Sequence, residues 1–386
     1  MFPPPRKLAL YTVSAALNFT TPVIQLSKVM AVTIVENKVK KVCYIVGASR
    51  EKTPRATKIA QAINAEIIDC PSKVRRYTTF PVLLPITLAF SSHDIVIVNN
   101  IPTHVLFSVW IASKFRKFVL VVDFVNFWRF AVSKKFKALS GMASYFENWI
   151  YRRMKYGLAI NEVIAKSAKE AGVEIVSVVH DAADHELFKP SFNLAAVVAI
   201  AANLRRDEGV DVLLNAMRIV KDEFPDIKCL VAGSGEEEDS LKELTKKLEL
   251  DSHVEFLGWI PNQNLPQIYE RASVGVVSMR TLSPFALPIK LFEYMSSGLA
   301  VISTDTATIR TIIRNGENGL LFPTGDFNTL ASLIIGVLSD SSLMRKLQKG
   351  ARDTVEAGVN WRFESEKLMK FINDVSSEEN NGQMMG

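Results

Sequence analysis

The sequence predicts an α/β protein built from two doubly wound parallel sheets, one in each half of the chain. Short apolar runs rich in Val and Ile alternate with helical patterns along nearly the whole chain, as the buried strands of parallel sheets do. The series of strands ends near residue 179 and starts again near residue 196. The 386 residues also exceed what one hydrophobic core ordinarily holds, so two domains are expected.

In the first half, each predicted strand is a run of β-branched and apolar residues, such as HDIVIVN and FVLVVDF. The predicted strands are 7–13, 41–47, 65–69, 93–99, 118–124, 157–160 and 174–179, and the helices between them include 21–36 and 53–64. The polar, proline-bearing stretch 184–193 follows and is predicted to link the two halves. Residues 1–190 are therefore assigned to the first domain.

In the second half, the same alternation predicts a second sheet. Its predicted strands are 196–202, 228–232, 254–257, 274–278, 301–304 and 319–322. Residues 191–360 are assigned to the second domain. The terminal stretch SSEENNGQMMG, residues 376–386, is mostly polar, and its composition predicts a disordered tail.

One segment of the second half combines a short helix with charged side chains. Proline at the first helical position and glycine after the last predict that the helix starts near Pro288 and ends at Gly298. Lys290 and Glu293 lie on one face of it by their spacing. The β-branched run 300–304 follows as a buried strand, so the helix is predicted to form an anion site at a sheet edge. An ordinary crossover helix with a solvated lysine and glutamate is the alternative.

Four sequence words in the second half carry a family resemblance. They are AANLRRDEGVDVLL at 201–214, CLVAGSG at 229–235, VEFLGWIP at 254–261 and LPIKLFEYMSSGLAVISTD at 287–305. In this order they resemble the donor domain of the retaining, nucleotide-sugar-dependent glycosyltransferases of family 4, or group 1. The resemblance implies two Rossmann-like domains that face a cleft, the GT-B arrangement. It also implies that a final helix, about 361–375, packs back on the first domain.

The resemblance assigns donor-binding roles to several residues. Glu293 falls on the second glutamate of the family's Glu-x7-Glu motif, which holds the ribose hydroxyls, whereas Phe285 stands at the first. Backbone amides of Ala286 and Leu287 are implied to hold the donor sugar. The family's glycine words place Gly233, Gly235 and Gly258 beside the nucleotide, where a glycine lets the ligand approach the backbone.

Charge stabilisation of the departing diphosphate is the chemical requirement of such a transfer, and either a metal or fixed cations can meet it. The sequence has no Asp-x-Asp motif or histidine cluster, so no metal and no cofactor are expected. The family's arginine and lysine positions hold Asn203 and Glu208 here. Arg205 and Arg206 in the same loop, together with Lys290, are the predicted replacement cations, and a solvated loop is the alternative for the arginine pair.

Asp123 ends a predicted strand of the first half, at the edge where ligands bind in parallel sheets. We expect it to contact the sugar or the acceptor. A cap on the end of the strand is the alternative.

The two halves of the chain carry net charges of opposite sign. Residues 1–190 hold 26 Lys and Arg against 13 Asp and Glu, whereas residues 191–386 hold 20 against 27. A basic first domain attracts polyanions, and basic residues interleave with aromatic ones over residues 127–156. This pattern favours an anionic membrane surface; the alternative is a helix with an aromatic core face and a charged outer face. No nucleic-acid-binding signature is present, so no nucleic-acid partner is expected.

The longest apolar run, residues 80–90, contains two prolines and is shorter than the roughly 20 residues that span a bilayer. We therefore expect a cytoplasmic protein, peripheral on the inner face of the cell membrane. The predicted function is retaining transfer of a hexose from a nucleotide diphosphate sugar to a lipid-linked or glycan acceptor. The alternatives are a catalytically silent binding or assembly subunit and, less favoured, a nucleotide-sugar epimerase.

Overall fold

A computed structural model describes residues 40–47, 54–70, 78–99, 103–127, 140–280 and 287–384. The predictions for strand 7–13, for helix 21–36 and for Phe285 and Ala286 lie outside these residues.

The first half forms a six-stranded sheet in which all neighbouring strands are parallel. Its order is β2-β1-β3-β4-β5-β6. The strands are β1 Val42–Val46, β2 Glu66–Asp69, β3 Ile95–Asn99, β4 Val119–Phe124, β5 Tyr156–Ala159 and β6 Ile175–Val178. The register pairs Asn99 with Asp123, so polar residues of neighbouring strands meet at the carboxyl edge.

Helices cover both faces of this sheet. They are α1 Pro54–Ile63, α2 Phe80–Phe90, α3 Thr103–Phe115, α4 Ser140–Tyr151 and α5 Glu162–Glu170. The buried side chains of α2 to α5 join one face of the sheet in a single apolar cluster, whereas α1 packs on the other face. The doubly wound topology predicted for this half is confirmed in the described residues.

The second half forms another parallel six-stranded sheet, of order β12-β11-β10-β7-β8-β9. Its strands are β7 Val197–Ala201, β8 Lys228–Ala232, β9 Val254–Gly258, β10 Val274–Val277, β11 Ala300–Thr304 and β12 Leu320–Phe322. The covering helices are α6 Val210–Glu223, α7 Glu238–Lys247, α8 Leu265–Tyr269, α9 Ile289–Ser296, α10 Phe327–Ser339 and α11 Ser341–Ala357. Each face of this sheet carries its own apolar cluster.

The last helix, α12 Trp361–Met384, returns to the first half. Leu368, Phe371 and Ile372 are buried against the face of the first sheet that α1 also covers. The helix continues through residues 376–384, which composition predicted to be disordered. Glu378 explains part of this difference, since its carboxylate accepts a hydrogen bond of 2.9 Å from the Tyr156 hydroxyl and pairs with Lys155 at 2.8 Å.

None of the single helices in the described part of the chain combines the length and the apolarity of a membrane span. The bent pair α10 and α11, whose axes meet at 103°, meets those two criteria only when the helices are taken together.

Candidate functional site

A cavity of about 550 Å³ opens between the carboxyl edges of the two sheets. Its wall on the first sheet consists of residues that follow strands β4, β5 and β6, namely Val125, Asn126, Ile160 and Asp181. Its wall on the second sheet includes residues at the ends of β7 to β10 and the start of α9. Ligands of parallel sheets bind at such edges, and the predicted cleft is confirmed.

Helix α9 starts after Pro288, as predicted, and ends just before Gly298, whose φ is +69°. The sequence placed Lys290 and Glu293 on one face of this helix, and the structure buries nearly the whole helix. Leu291 and Tyr294 are as buried as Phe292. Lys290 and Glu293 reach the cavity wall because the start of α9 points at it.

Glu293 is a buried carboxylate whose two oxygens are both held. Asn262 donates a hydrogen bond of 2.6 Å to Oε1, and the Tyr269 hydroxyl donates one of 3.1 Å to Oε2. Burial raises the pKa of Glu293 above its ordinary value, while these two hydrogen bonds and the charge of Lys290 act in the opposite direction. The result is an oriented acceptor with lone pairs left for ligand hydroxyls.

Lys290 is paired with Glu208 across the cavity wall. Its Nζ lies 2.6 Å from Glu208 Oε2, and the side chains are only 11% and 10% exposed. Both residues line the cavity. The cation that the sequence assigned to the diphosphate therefore has its charge matched by the residue that stands at the family's lysine position.

Arg205 and Arg206 do not line the cavity. The Arg205 guanidinium pairs with Asp207 at 3.0 Å and is half exposed, and Arg206 is exposed at the start of a 3-10 turn. The Arg205 side chain folds back on the carboxylate two residues ahead, and the role of the two arginines as replacement cations stays a prediction. The spacing of charges along the loop could not show in which direction the Arg205 side chain turns.

The predicted glycines shape the second wall mainly through the backbone. Gly233 has a φ of +143°, and a Cβ there would lie 1.8 Å from the Ala202 carbonyl oxygen. A Cβ on Gly235 would lie 2.3 Å from the Leu204 carbonyl oxygen. The Gly233 N–H donates to the Gly258 carbonyl at 2.7 Å, which joins the ends of β8 and β9. Gly233 lines the cavity, whereas Gly235 and Gly258 support the loops behind it.

Asn203 and Leu287 line the cavity, as their assignment to donor binding requires. Asn203 is exposed there, and Leu287 is buried at the entry to α9. The predicted roles of the two residues stay predictions, since their positions alone do not identify a ligand.

Asp123 lies at the end of β4 but is fully buried and does not line the cavity. Its carboxylate accepts hydrogen bonds from the Tyr44 hydroxyl and from the Arg55 guanidinium, at 2.8 Å to Nη2. Direct contact with sugar or acceptor is therefore corrected to a structural role. The expectation failed because strand-end position does not tell whether a side chain turns toward the cleft or into the core.

Two residues that the sequence did not single out complete this side of the site. Buried Arg55, on α1, bridges Asp123 to Asp181 and donates to the Asp181 carboxylate at 3.0 Å. In the part of the chain that the structure describes, Arg55 is the hydrogen-bond partner of that carboxylate. Burial raises the pKa of Asp181, against the charge of Arg55. A polar residue just after a predicted strand was the signal available for Asp181.

Comparison with known proteins shows which family and which relatives the second half of the chain resembles. The model of the family described as glycosyl transferases group 1 matches residues 187–354. A phosphatidyl-myo-inositol mannosyltransferase of Mycolicibacterium smegmatis is 30% identical over 169 residues, which cover 44% of this chain and 42% of that protein. A chitobiosyldiphosphodolichol beta-mannosyltransferase of Candida albicans is 26% identical over 184 residues, or 46% of this chain and 40% of that protein. The matches thus span about two fifths of these relatives' length.

Solved structures resemble the chain over most of its length. Sucrose-phosphate synthase from Thermosynechococcus elongatus superposes with a TM-score of 0.74 at 16% identity, covering 88% of this chain and 100% of that one. HepE from Anabaena, solved in complex with UDP and glucose, gives a TM-score of 0.70 at 16% identity, covering 87% and 100%. Together with the two parallel sheets, these likenesses show the GT-B fold of two Rossmann-like domains.

Proposed function

We propose that this chain is a retaining glycosyltransferase that moves a hexose from a nucleotide diphosphate sugar to a lipid-linked or glycan acceptor. The second half binds the donor and the first half binds the acceptor. The protein works in the cytoplasm, on the inner face of an anionic membrane, and needs no metal or nucleic acid.

One observation carries the proposal. Glu293 is buried at the cavity wall with both oxygens oriented by Asn262 and Tyr269. It lies within the segment that matches the group 1 glycosyltransferase model, and the sequence resemblance assigns it to the ribose hydroxyls of the donor. An oriented carboxylate at the edge of a parallel sheet suits a pair of vicinal hydroxyls, since it accepts a hydrogen bond from each.

A second candidate is a catalytically silent member that binds through the same fold. The Lys290–Glu208 pair favours it, because the described wall of the cavity offers the donor no unpaired cation. Asn203, which stands at the position where the family has an arginine, favours the same candidate. An epimerase on this fold is a third, less favoured candidate.

Stabilisation by ligands tests donor binding. A panel of nucleoside diphosphates and nucleotide sugars should raise the unfolding temperature, since a ligand at a hundred times its Kd adds about 2.7 kcal/mol. The Glu293→Gln variant keeps the size of the side chain and should lose most of the shift. Glu255→Gln, which changes a surface partner of Arg271, is the matched control.

Failure of every nucleotide to stabilise the wild type would refute donor binding. Binding without transfer to any acceptor extract would favour the silent subunit. A changed sugar in the absence of acceptor would identify an epimerase, and full activity in a chelator would support the metal-free mechanism.

A further inference from the structure

Helix α2 exposes an apolar ridge. Val82, Leu83, Ile86 and Phe90 are between 53% and 89% exposed, while Leu84 and Leu88 on the other side are buried. The eleven residues of the helix include no charged side chain. One short helix therefore carries four of the large apolar side chains that the described part of the chain exposes, which is a concentrated patch.

The ridge continues across the helices beside it. Helix α2 packs on α3, and α3 packs on α4. Phe115 at the end of α3 and Met142 and Tyr145 on α4 are also strongly exposed. We call the outer surface of α2, α3 and α4 the apolar face.

Among the described residues of α2, α3 and α4, and directly after these helices, the exposed charge has one sign. Within the three helices the single carboxylate is Glu147, which is fully buried. The exposed charges on the helices and directly after them are cations: Lys114, Lys117, Arg152 and Arg153. An apolar centre with a basic border is complementary to an anionic lipid surface.

Aromatic rings hold two of these cations at the surface. Arg153 lies over the Trp149 ring, 3.6 Å from its centroid, and Lys114 lies 5.3 Å from the centroid of Trp110. The two indoles also contact each other edge to face. Indole rings with adjacent cations suit the level of lipid headgroups, where one side of the group is apolar and the other is wet.

Several aromatic residues of 127–156 are buried, whereas the sequence-based expectation places them at a membrane surface. Phe127, Tyr151 and Tyr156 are buried, so for them the alternative of an aromatic core face holds. The surface that suits a membrane is centred on the ridge of α2, which lies outside that stretch, while Tyr145, Trp149 and Arg153 contribute to it from within the stretch.

We propose that the apolar face docks on an anionic lipid bilayer, with the ridge of α2 seated at the boundary between headgroups and acyl chains. Helix α2 is about 16 Å long, enough to lie along the interface and too short to cross it. A second copy of the chain is a poor occupant, because its own basic border would face this one. The proposal rests on the membrane association given in the proposed function and names the surface that performs it, but it does not depend on the transferase activity.

The orientation of α2 connects the face to the cavity. The Arg116 guanidinium contacts the Ser91 hydroxyl at 3.5 Å and the His93 carbonyl at 3.4 Å, which places the end of α2 at the amino edge of the sheet. The start of α2 then lies toward the carboxyl edge, where the cavity opens. A lipid-linked acceptor would thus leave the bilayer on the side of the molecule that holds the site.

Sedimentation with vesicles tests the proposal on the full-length protein. Vesicles of phosphatidylcholine alone and of phosphatidylcholine with phosphatidylglycerol are the two probes. We expect binding to the anionic vesicles, weakened by salt, and about a tenfold or greater loss for the double variant Ile86→Glu with Phe90→Glu. Phe327→Glu, the same change at an exposed phenylalanine of the second half, should bind as the wild type does.

Lys117→Glu changes the border without touching the ridge and should weaken binding mainly at low salt. The proposal is overturned if the wild type ignores anionic vesicles, or if the double variant binds them as well as the wild type. A dimer in solution that the double variant abolishes would also overturn it, since a second copy would then cover the face. An unfolding temperature of the double variant equal to that of the wild type separates a lost membrane site from a misfolded chain.

Discussion

Single side chains give the cavity wall an excess of negative charge. Three of the described lining residues, Asp181, Glu208 and Glu293, are carboxylic acids, and Lys290 is the cation among them. A nucleotide diphosphate is itself an anion, so Glu208 works against binding in two ways. It adds a like charge, and it occupies the ammonium group of Lys290 at 2.6 Å.

Replacing Glu208 should strengthen donor binding. Glu208→Gln removes the like charge, and Glu208→Lys introduces the lysine that the resembled family has at this position. A charge-assisted hydrogen bond contributes about 1.5–3 kcal/mol, so the affinity for a nucleoside diphosphate should rise about tenfold or more. Calorimetric titration measures it, with Asp207→Asn as the control outside the cavity. Unchanged or weaker binding by both Glu208 variants would show that the diphosphate does not reach Lys290.

Asp181 is placed to act on the acceptor, under the proposed transferase activity. It stands on the first-half wall, and Arg55 fixes its carboxylate. Asp181→Asn should lower the transfer rate at least about tenfold by removing a hydrogen-bond acceptor for the attacking hydroxyl, with the Kd of the nucleotide unchanged. Asp184→Asn, which alters the outlying Lys58 pair, is the matched control. A loss of nucleotide affinity in Asp181→Asn would place this residue on the donor instead.

At the scale of elements, the segment after β6 and the final helix are held together by contacts between residues distant in sequence. The His180 backbone N–H donates to Glu364 on α12 at 2.8 Å, and the His180 ring lies 3.3 Å from the same carboxylate. Lys367 also pairs with Glu364, and Glu162 faces the other side of the ring. These contacts join the segment after β6 to α12.

The His180 contact should make stability depend on pH. Burial lowers the pKa of His180, but Glu364 and Glu162 raise it more, so the net pKa exceeds the ordinary 6.5. The protonated ring therefore stabilises the fold fully below about pH 6.5, and this contribution disappears as pH rises through the raised pKa. Glu364 has a lowered pKa despite its burial, and its contribution is lost only in acid.

Chemical unfolding measures this dependence. The difference in free energy of unfolding between the wild type and His180→Gln should be larger at about pH 6 than at about pH 9. His253→Gln, the same change at a surface turn of the second half, is the matched control. A difference that is equal at both pH values would contradict an ion pair at His180.

At the scale of the whole molecule, the chain crosses between its halves twice. It leaves the first sheet after β6 and comes back with α12, whose apolar side chains complete the core of the first sheet. The last helix in sequence is therefore part of the stability of the first half. The carboxyl edges of both sheets meet at the cavity as a consequence of the same topology.

Core substitutions in two helices that are consecutive in sequence should destabilise different halves of the molecule. Leu368→Ala on α12 and Leu347→Ala on α11 each remove a fully buried side chain, and each should cost about 2–5 kcal/mol. Hydrogen exchange should rise in β1 and β3 for Leu368→Ala and in β7 and β8 for Leu347→Ala. Faster exchange of the second sheet in Leu368→Ala, with the first sheet unaffected, would contradict the crossing.

The sequence by itself determined the strands of both sheets, the bounds of α9 and the position of Glu293 on the wall. These follow from local patterns: β-branched runs, a proline and a glycine at the helix ends, and helical spacing. The resemblance in the second half indicated the GT-B arrangement of the two domains, because the sequence words that carry it lie in a segment with a clear alternation of strands and helices.

Tertiary structure alone decided the electrostatics of the site. It turned Asp123 into the core, folded Arg205 onto Asp207 and paired Lys290 with Glu208. It also brought Arg55 and Asp181 together from 126 residues apart and left the apolar run of α2 exposed. Pairing and burial depend on which segments meet in space, whereas a sequence pattern records only which face of its own helix or strand a residue occupies.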